Sequence, residues 1–195
     1  IKKQLDWPLI LELSRRHDEW SFVFVGPKNH GNELRPIYDE LLHRGNVYLL
    51  GSKSFQELPA YAQHFDVCMM PYLCNEYTKY IYPLKLHEYL ATGRPVVGSP
   101  IRSLAEFSHV VKLARTADEW SEAVRESLET AAHHPAKVEA RQSVAREYDW
   151  DKLIQQVAFR FCDKLGPTYR ERFERLCVEN SCAVTTINRH AKSNS

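Results

Sequence analysis

Apolar residues along this chain gather into five short continuous runs, each closed by turn residues. They are SFVFV (21–25), VYLL (47–50), DVCMMP (66–71), PVVGS (95–99) and VVKLA (110–114). Continuous rather than alternating apolarity is what a strand shows when both faces of its sheet are covered. Between the runs the spacing turns helical: PLILELSRR (8–16), ELRPIYDELLHR (33–44), FQELPAYAQHF (55–65), PLKLHEYLAT (83–92) and a short SLAEF (103–107). Pro36 falls in the first turn of its helix, where its missing N–H costs nothing. Strand alternating with helix predicts an α/β fold: a Rossmann-like parallel sheet of βαβ units with helices on both faces.

The order changes after residue 116. Asp118 is the expected N-cap of EWSEAVRESLETAAHH, whose Trp120, Val124 and Leu128 share one face. Helices over 136–147 and 150–165 follow, the second capped by Asp149, and Gly166-Pro167 stops it. YRERFERLCVE suits one more helix, and TTINRHAKSNS is polar enough for a disordered tail. The expected organisation is therefore one domain over 1–166 with a helical extension and tail over 167–195. The chain opens directly on a helix, whereas doubly wound sheets begin with a strand, so either an N-terminal strand is missing or the domain continues something upstream.

Composition narrows the function classes. Among the 195 residues, a formal net charge of +1 with both signs interspersed argues against a nucleic-acid surface. No apolar run approaches the roughly 20 residues of a membrane helix. The five cysteines, Cys68, Cys74, Cys162, Cys177 and Cys182, are odd in number and lack C-x-x-C spacing. Reduced thiols and a cytoplasmic location are expected, with no metal site. His133-His134 are adjacent on a helix and face different ways, which suits a solvated helix end.

In a parallel sheet, ligands bind beyond the carboxyl ends of the strands, so the loops there hold the candidates. These are Gly26-Pro27-Lys28-Asn29, Gly51-Ser52-Lys53, Pro71-Tyr72 through Pro83, and Gly98-Ser99-Pro100-Ile101-Arg102. Together they make a rim suited to a phosphorylated ligand. The longest loop feeds the stretch YPLKLHEYLATGRPVV, where Lys85 and Glu88 sit at the start of a core helix. A lysine there opposes the helix dipole, a conflict that a bound anion offsets, and the Glu88 carboxylate can accept from two adjacent ribose hydroxyls. The alternative is that Lys85 snorkels, or that the two simply pair at i,i+3. His87, between Pro83, Leu84 and Leu90, reads as a packed, hydrogen-bonded histidine. Asn75 and Thr78 either line a pocket or hold a turn. Tyr72, Tyr77, Tyr80 and Tyr82 offer a stacking partner for a nucleobase, or plain packing. G-x-S-x-G, P-loop and G-x-G-x-x-G motifs are absent, so nothing points to covalent catalysis or NAD.

The block NVYLLGSKSFQELPAYAQHFDVCMMPY, with PLKLHEYLATGRPVV and GSPIRSLAEF, resembles the C-terminal half of a retaining-type GT-B glycosyltransferase. The likeness runs over about residues 5–165 and is closest to the bacterial enzymes of glycosyltransferase families 1 and 4; ARTADEWSEAVRESL and REYDWDKL also fit. It implies a domain that binds a UDP- or GDP-sugar as substrate, with no cofactor and no metal. Glu88 matches the glutamate that holds the ribose, and Lys85 matches a phosphate-contacting lysine. The backbone around Pro83, Leu84 and Lys85 matches the helix start that receives the diphosphate, and Gly51, Ser52, Lys53 and Tyr72 would lie near the base. Where the wider family carries a second glutamate eight positions before the first, this chain has Tyr80, with Glu76 out of register. That departure leaves the donor sugar open.

The resemblance further implies that a first strand and a whole acceptor-binding domain, with the catalytic residue, precede this segment. The expected function is hexosyl transfer from the nucleotide sugar to a glycan, lipid-linked or small-molecule acceptor, weak or absent in this chain alone. Peripheral membrane association of the full enzyme is compatible with such acceptors. Two alternatives stand beside it: a sugar-nucleotide epimerase of the same architecture, and a non-catalytic Rossmann-like interaction module.

Overall fold

The computed structural model describes residues 4–27 and 34–178. The chain divides into two compact units, one ending at Arg146 and the other starting at Glu147. In the first, strands β1 (Phe22–Phe24), β2 (Val47–Leu49), β3 (Cys68–Met70), β4 (Val96–Gly98) and β5 (Val111–Leu113) alternate with helices. The helices are α1 (Trp7–Arg16), α2 (Arg35–His43), α3 (Leu58–Gln63), α4 (Lys85–Ala91), α5 (Arg102–Ala105), α6 (Ala117–Leu128) and α7 (Pro135–Glu147). Each of the five apolar runs forms a strand, and every strand pair is parallel.

The strands form two sheets rather than one: β1 with β2, and β3-β4-β5. A common core nevertheless underlies both. Leu9 and Leu13 of α1 and Trp120 and Val124 of α6 pack with Phe22 of β1 and Val97 of β4, and Phe24 and Met69 join them. Because side chains alternate along a strand, Cys68 and Met70 point the other way. They meet Leu86 and Leu90 of α4, Leu104 of α5 and Phe107. Trp7, Ile10 and Leu11 of α1 with Leu41 of α2 close a third cluster.

Helix ends follow local chemistry that hydrophobic spacing only partly reveals. Asp6 caps α1, accepting from Leu9 N at 3.0 Å. The cap of α6 is Thr116, not Asp118: its hydroxyl accepts from Glu119 N at 3.2 Å. Glu119 answers by accepting from Thr116 N at 3.4 Å, a capping box that places Asp118 inside the first turn. There Asp118 pairs with Arg16 instead. The stretch expected to be helical over 55–65 forms a helix only from Leu58, because Glu57 turns back to accept from Ser54 N at 2.9 Å. After α4 the chain reverses at Gly93, at φ +74°. Buried Arg141 of α7 donates through Nε to the Gly93 carbonyl at 2.9 Å and through a terminal nitrogen to Ala132 O at 2.5 Å.

In the second unit, α8 (Trp150–Leu165) is capped by Asp149, which accepts from Asp151 N at 2.9 Å, and ends at Gly166. Residues 167–178 are helical, with Phe173 edge-on to Phe159 at 5.1 Å. Trp150, Ile154, Val157, Phe161 and Leu165 form an exposed row along α8. The polar tail expected after residue 184, and Lys28 and Asn29 of the first rim loop, lie outside the described residues.

Candidate functional site

The site is assembled where β2, β3 and β4 end. Gly51, at φ +70°, turns the chain after β2, and its carbonyl accepts from Gly26 N at 2.9 Å, joining the loops after β1 and β2. Ser52 is exposed, and the Lys53 ammonium stands 5.6 Å over the Tyr61 ring.

After β3 the chain is held by reciprocal bonds. Thr78, fully buried, accepts from Asn75 N at 3.0 Å and donates to Leu73 O, while Asn75 Oδ1 accepts from Thr78 N at 2.9 Å. Of the two readings of this pair, turn-holding is the one its geometry describes. Tyr72 is half-buried against the core beside Cys68 and Met70, and burial raises its phenol pKa. Tyr77, Tyr80 and Tyr82 are exposed. Tyr82 stacks on His87, with its hydroxyl 2.7 Å from Nε2, and Phe107 meets the imidazole edge-on. Burial lowers the His87 pKa, the state of a packed ring rather than of a base poised to accept protons.

α4 shows why one short helix can serve both core and surface. Leu86 and Leu90, one turn apart, are buried, and Pro83 ahead of them is buried too. Lys85 and Glu88 occupy the other face, half-exposed and bonded to each other at 2.5 Å. Leu84 is 55% exposed. The first turn is tight: Leu86 N donates to Pro83 O at 2.9 Å and His87 N to Leu84 O at 3.2 Å. Among the described residues, nothing accepts from the N–H groups of Leu84 and Lys85. Two free donors, one cation and one carboxylate therefore share one exposed patch.

Two contributors were hidden from sequence reasoning. Ser103 of α5 donates to Ile81 O at 2.6 Å, fastening the loop before α4. Near the N-terminus, Leu5 bridges antiparallel to Tyr72, with Asp6 N on Pro71 O and Leu73 N on Gln4 O, both at 2.8 Å. A serine at a helix start was a faint signal for the first; no local signal announces the second. Among the described residues no group of three or more His, Cys, Asp or Glu is placed to hold a metal ion. A cleft of about 360 Å³ lined by Asp18, Ser21, His43, Arg44, Asn46 and Tyr48 lies at the opposite, amino-terminal end of β1 and β2.

Residues 5–130 match the family model of the glycosyl transferases group 1. The chain belongs to that family. It is also 31% identical over 161 residues to the putative teichuronic acid biosynthesis glycosyltransferase TuaH of Bacillus subtilis (strain 168). That alignment takes in 80% of this chain and 40% of the relative, so the chain spans about two fifths of the relative's length. The match to the group 1 glycosyltransferases covers every strand and the helices α1 to α6. The parallel α/β architecture accords with the Rossmann-like GT-B domain implied by the resemblance. Among the described residues of this group 1 chain, no helix is long and apolar enough to cross a membrane.

Proposed function

We propose that the chain is the donor-binding part of a glycosyltransferase that moves a hexosyl group from a UDP- or GDP-sugar to a glycan, lipid-linked or small-molecule acceptor. The observation that carries the reading is the patch on α4. Lys85, Glu88 and the free N–H groups of Leu84 and Lys85 stand together at the carboxyl end of a parallel sheet, where such folds bind ligands.

In this reading the donor exchanges one set of bonds for another. Lys85 leaves Glu88 for the diphosphate, joined by the two backbone donors, and Glu88 turns to the ribose hydroxyls. Cation and N–H groups fixed around the diphosphate offset the charge that grows on it as the glycosidic bond breaks. Gly51, Ser52, Lys53 and Tyr72 border the base, with Thr78 and Asn75 shaping the loop between. The relative named for teichuronic acid biosynthesis supports a polysaccharide product. The acceptor and the catalytic residue belong to the rest of the enzyme, working in the cytoplasm or against its membrane face, and this chain alone turns over weakly or not at all.

Calorimetric titration with UDP, GDP and their sugars tests the assignment, using Glu88→Ala and Lys85→Ala as controls. Binding by the parent chain and loss in both variants is expected. Equal binding in all three would overturn it.

A further inference from the structure

At the end of the sheet opposite the donor patch, two turns are tied together: residues 17–21, from α1 into β1, and residues 44–46, from α2 into β2. Asn46 makes the tie. Its Nδ2 donates to Ser14 O at 3.0 Å and to His17 O at 2.9 Å, which fixes the side chain and makes Oδ1 its acceptor end. Arg44 donates through a terminal nitrogen to Ser14 O at 2.5 Å and pairs with Asp18. Both residues line the cleft of about 360 Å³, a volume at the small end of ligand sites.

Each of these two side chains keeps one buried polar atom without a partner among the described residues. Asn46 Oδ1 is an acceptor, on a residue only 9% exposed, and Arg44 Nε is a donor. Folded proteins pair nearly all such groups. One hydroxyl answers both, since it accepts from Nε–H and donates to Oδ1 at once. A carboxylate does not: it has no proton for Oδ1 and would meet Asp18 beside Arg44. The rest of the lining suits further hydroxyls. Tyr48 is 46% exposed and offers an apolar ring face with a polar tip. His43 Nδ1 stands 2.6 Å from Asp39 O, so Nδ1 carries the proton and the neutral ring keeps Nε2 as an acceptor. Among the described residues no aliphatic side chain lines the cleft to receive the side chain of a peptide.

We infer that this cleft is a second binding site, for a neutral saccharide, at the far end of the sheet from the donor patch. A hydroxyl of one sugar ring bridges Arg44 Nε and Asn46 Oδ1, and the carbon face of the ring lies on Tyr48. Both bridged atoms lie beneath the cleft surface, so seating the hydroxyl takes a side-chain adjustment in the cleft wall, of the kind usual on binding. The site uses neither Lys85 nor Glu88 and stands apart from the donor-site reading.

NMR of the full chain tests the inference, with maltotriose, cellotriose, N-acetylchitotriose and galactobiose titrated in turn. At least one is expected to shift the Arg44 Nε–H and Asn46 signals saturably while residues 84–88 stay unmoved. Arg44→Lys keeps a cation for Asp18 but lacks Nε–H, and should weaken that binding about tenfold or more. Tyr48→Ala should weaken it about three- to tenfold. At Gly45, which also lines the cleft, an added Cβ meets nothing within 4 Å and φ is not positive. Gly45→Leu should therefore fold, with its spectrum unchanged away from residues 43–48, and abolish binding by filling the cleft. No saturable shift with any of the four saccharides, or equal affinity in parent and all three variants, would overturn the inference. So would shifts at residues 43–48 with inorganic phosphate or trialanine but not with the saccharides, which would make the cleft an anion or peptide site. UDP added to the same samples reports on residues 84–88 separately, so failure of one site is distinguishable from failure of the other.

Discussion

Lys85 and Glu88 bind each other at 2.5 Å across the exposed face of α4, one turn apart, while Leu86 between them is buried. An exposed i,i+3 pair of this kind contributes only about 0.3–0.5 kcal/mol. Breaking it should cost little stability whichever partner is removed. Glu88→Ala and Lys85→Ala are expected to keep Tm within about 2 °C of the parent. Each is expected to weaken nucleotide-sugar binding by about tenfold or more, the scale of a lost hydrogen bond to a charged group. Thermal unfolding and titration on the same samples separate the two effects. A large fall in Tm with binding intact would mean that the pair serves the helix and not a ligand.

The Thr78 hydroxyl is buried and accepts from Asn75 N at 3.0 Å while donating to Leu73 O. Thr78→Val keeps the shape and removes both bonds, leaving Asn75 N and Leu73 O, both part-buried, without the hydroxyl. A loss of about 1–3 kcal/mol is expected in denaturant unfolding. Thr78→Ser should recover most of it. If valine is tolerated as well as serine, the turn is held by its backbone alone.

This pair also marks how far the sequence reaches. Continuous apolar runs announced all five strands, although only β4 is buried at every residue and Tyr48 in the middle of β2 is exposed. The spacing of Leu86 and Leu90 likewise placed Lys85 and Glu88 on one surface. Whether Asn75 and Thr78 point inward or outward carries no such signature, since the same residue types make turns and pockets. The Leu5–Tyr72 bridge joins residues 67 positions apart, so no local pattern encodes it. Helix limits at Thr116 and Leu58 were set by a capping box and by the Glu57 carboxylate, side-chain bonds that hydrophobic periodicity does not register.

Gly93 combines two constraints. Its φ of +74° is one that side-chain-bearing residues rarely adopt, and an added Cβ would meet Val138 Cγ1 at 2.6 Å and Gln142 Nε2 at 3.2 Å. Its carbonyl also receives Arg141. Gly93→Ala should therefore cost about 1–3 kcal/mol through backbone strain and displacement of α7. The check is the unfolding midpoint in urea. An unchanged midpoint would show that α7 yields freely.

The thiols should differ sharply in reactivity. Burial pushes the Cys68 thiol up to about 12, and it is 1% exposed in the core beneath α4. Cys74 is exposed. Because the thiolate is the reacting form, a maleimide at neutral pH should label Cys74 in the native chain and reach Cys68 only on unfolding. Peptide mass spectrometry reads this directly. Native labelling of Cys68 at a rate near that of Cys74 would mean that β3 opens readily.

His87 gives the chain a pH dependence whose sign can be stated. Burial holds its pKa below the ordinary value of 6.5. The folded chain thus keeps the ring neutral, stacked on Tyr82, while the unfolded chain takes up a proton as pH falls through about 6.5. With more protons bound when unfolded, the contribution of His87 is intact above that pH. It is lost progressively as pH falls toward the depressed folded value. Glu19, Glu57 and Glu126 have pKa values lowered from 4.5, so their losses come at more acidic pH. Between about pH 7.5 and 5.5 the parent should therefore lose more Tm than His87→Gln, whose side chain does not titrate. Parallel Tm curves for the two proteins would show that the ring stays solvated enough to charge in the folded state.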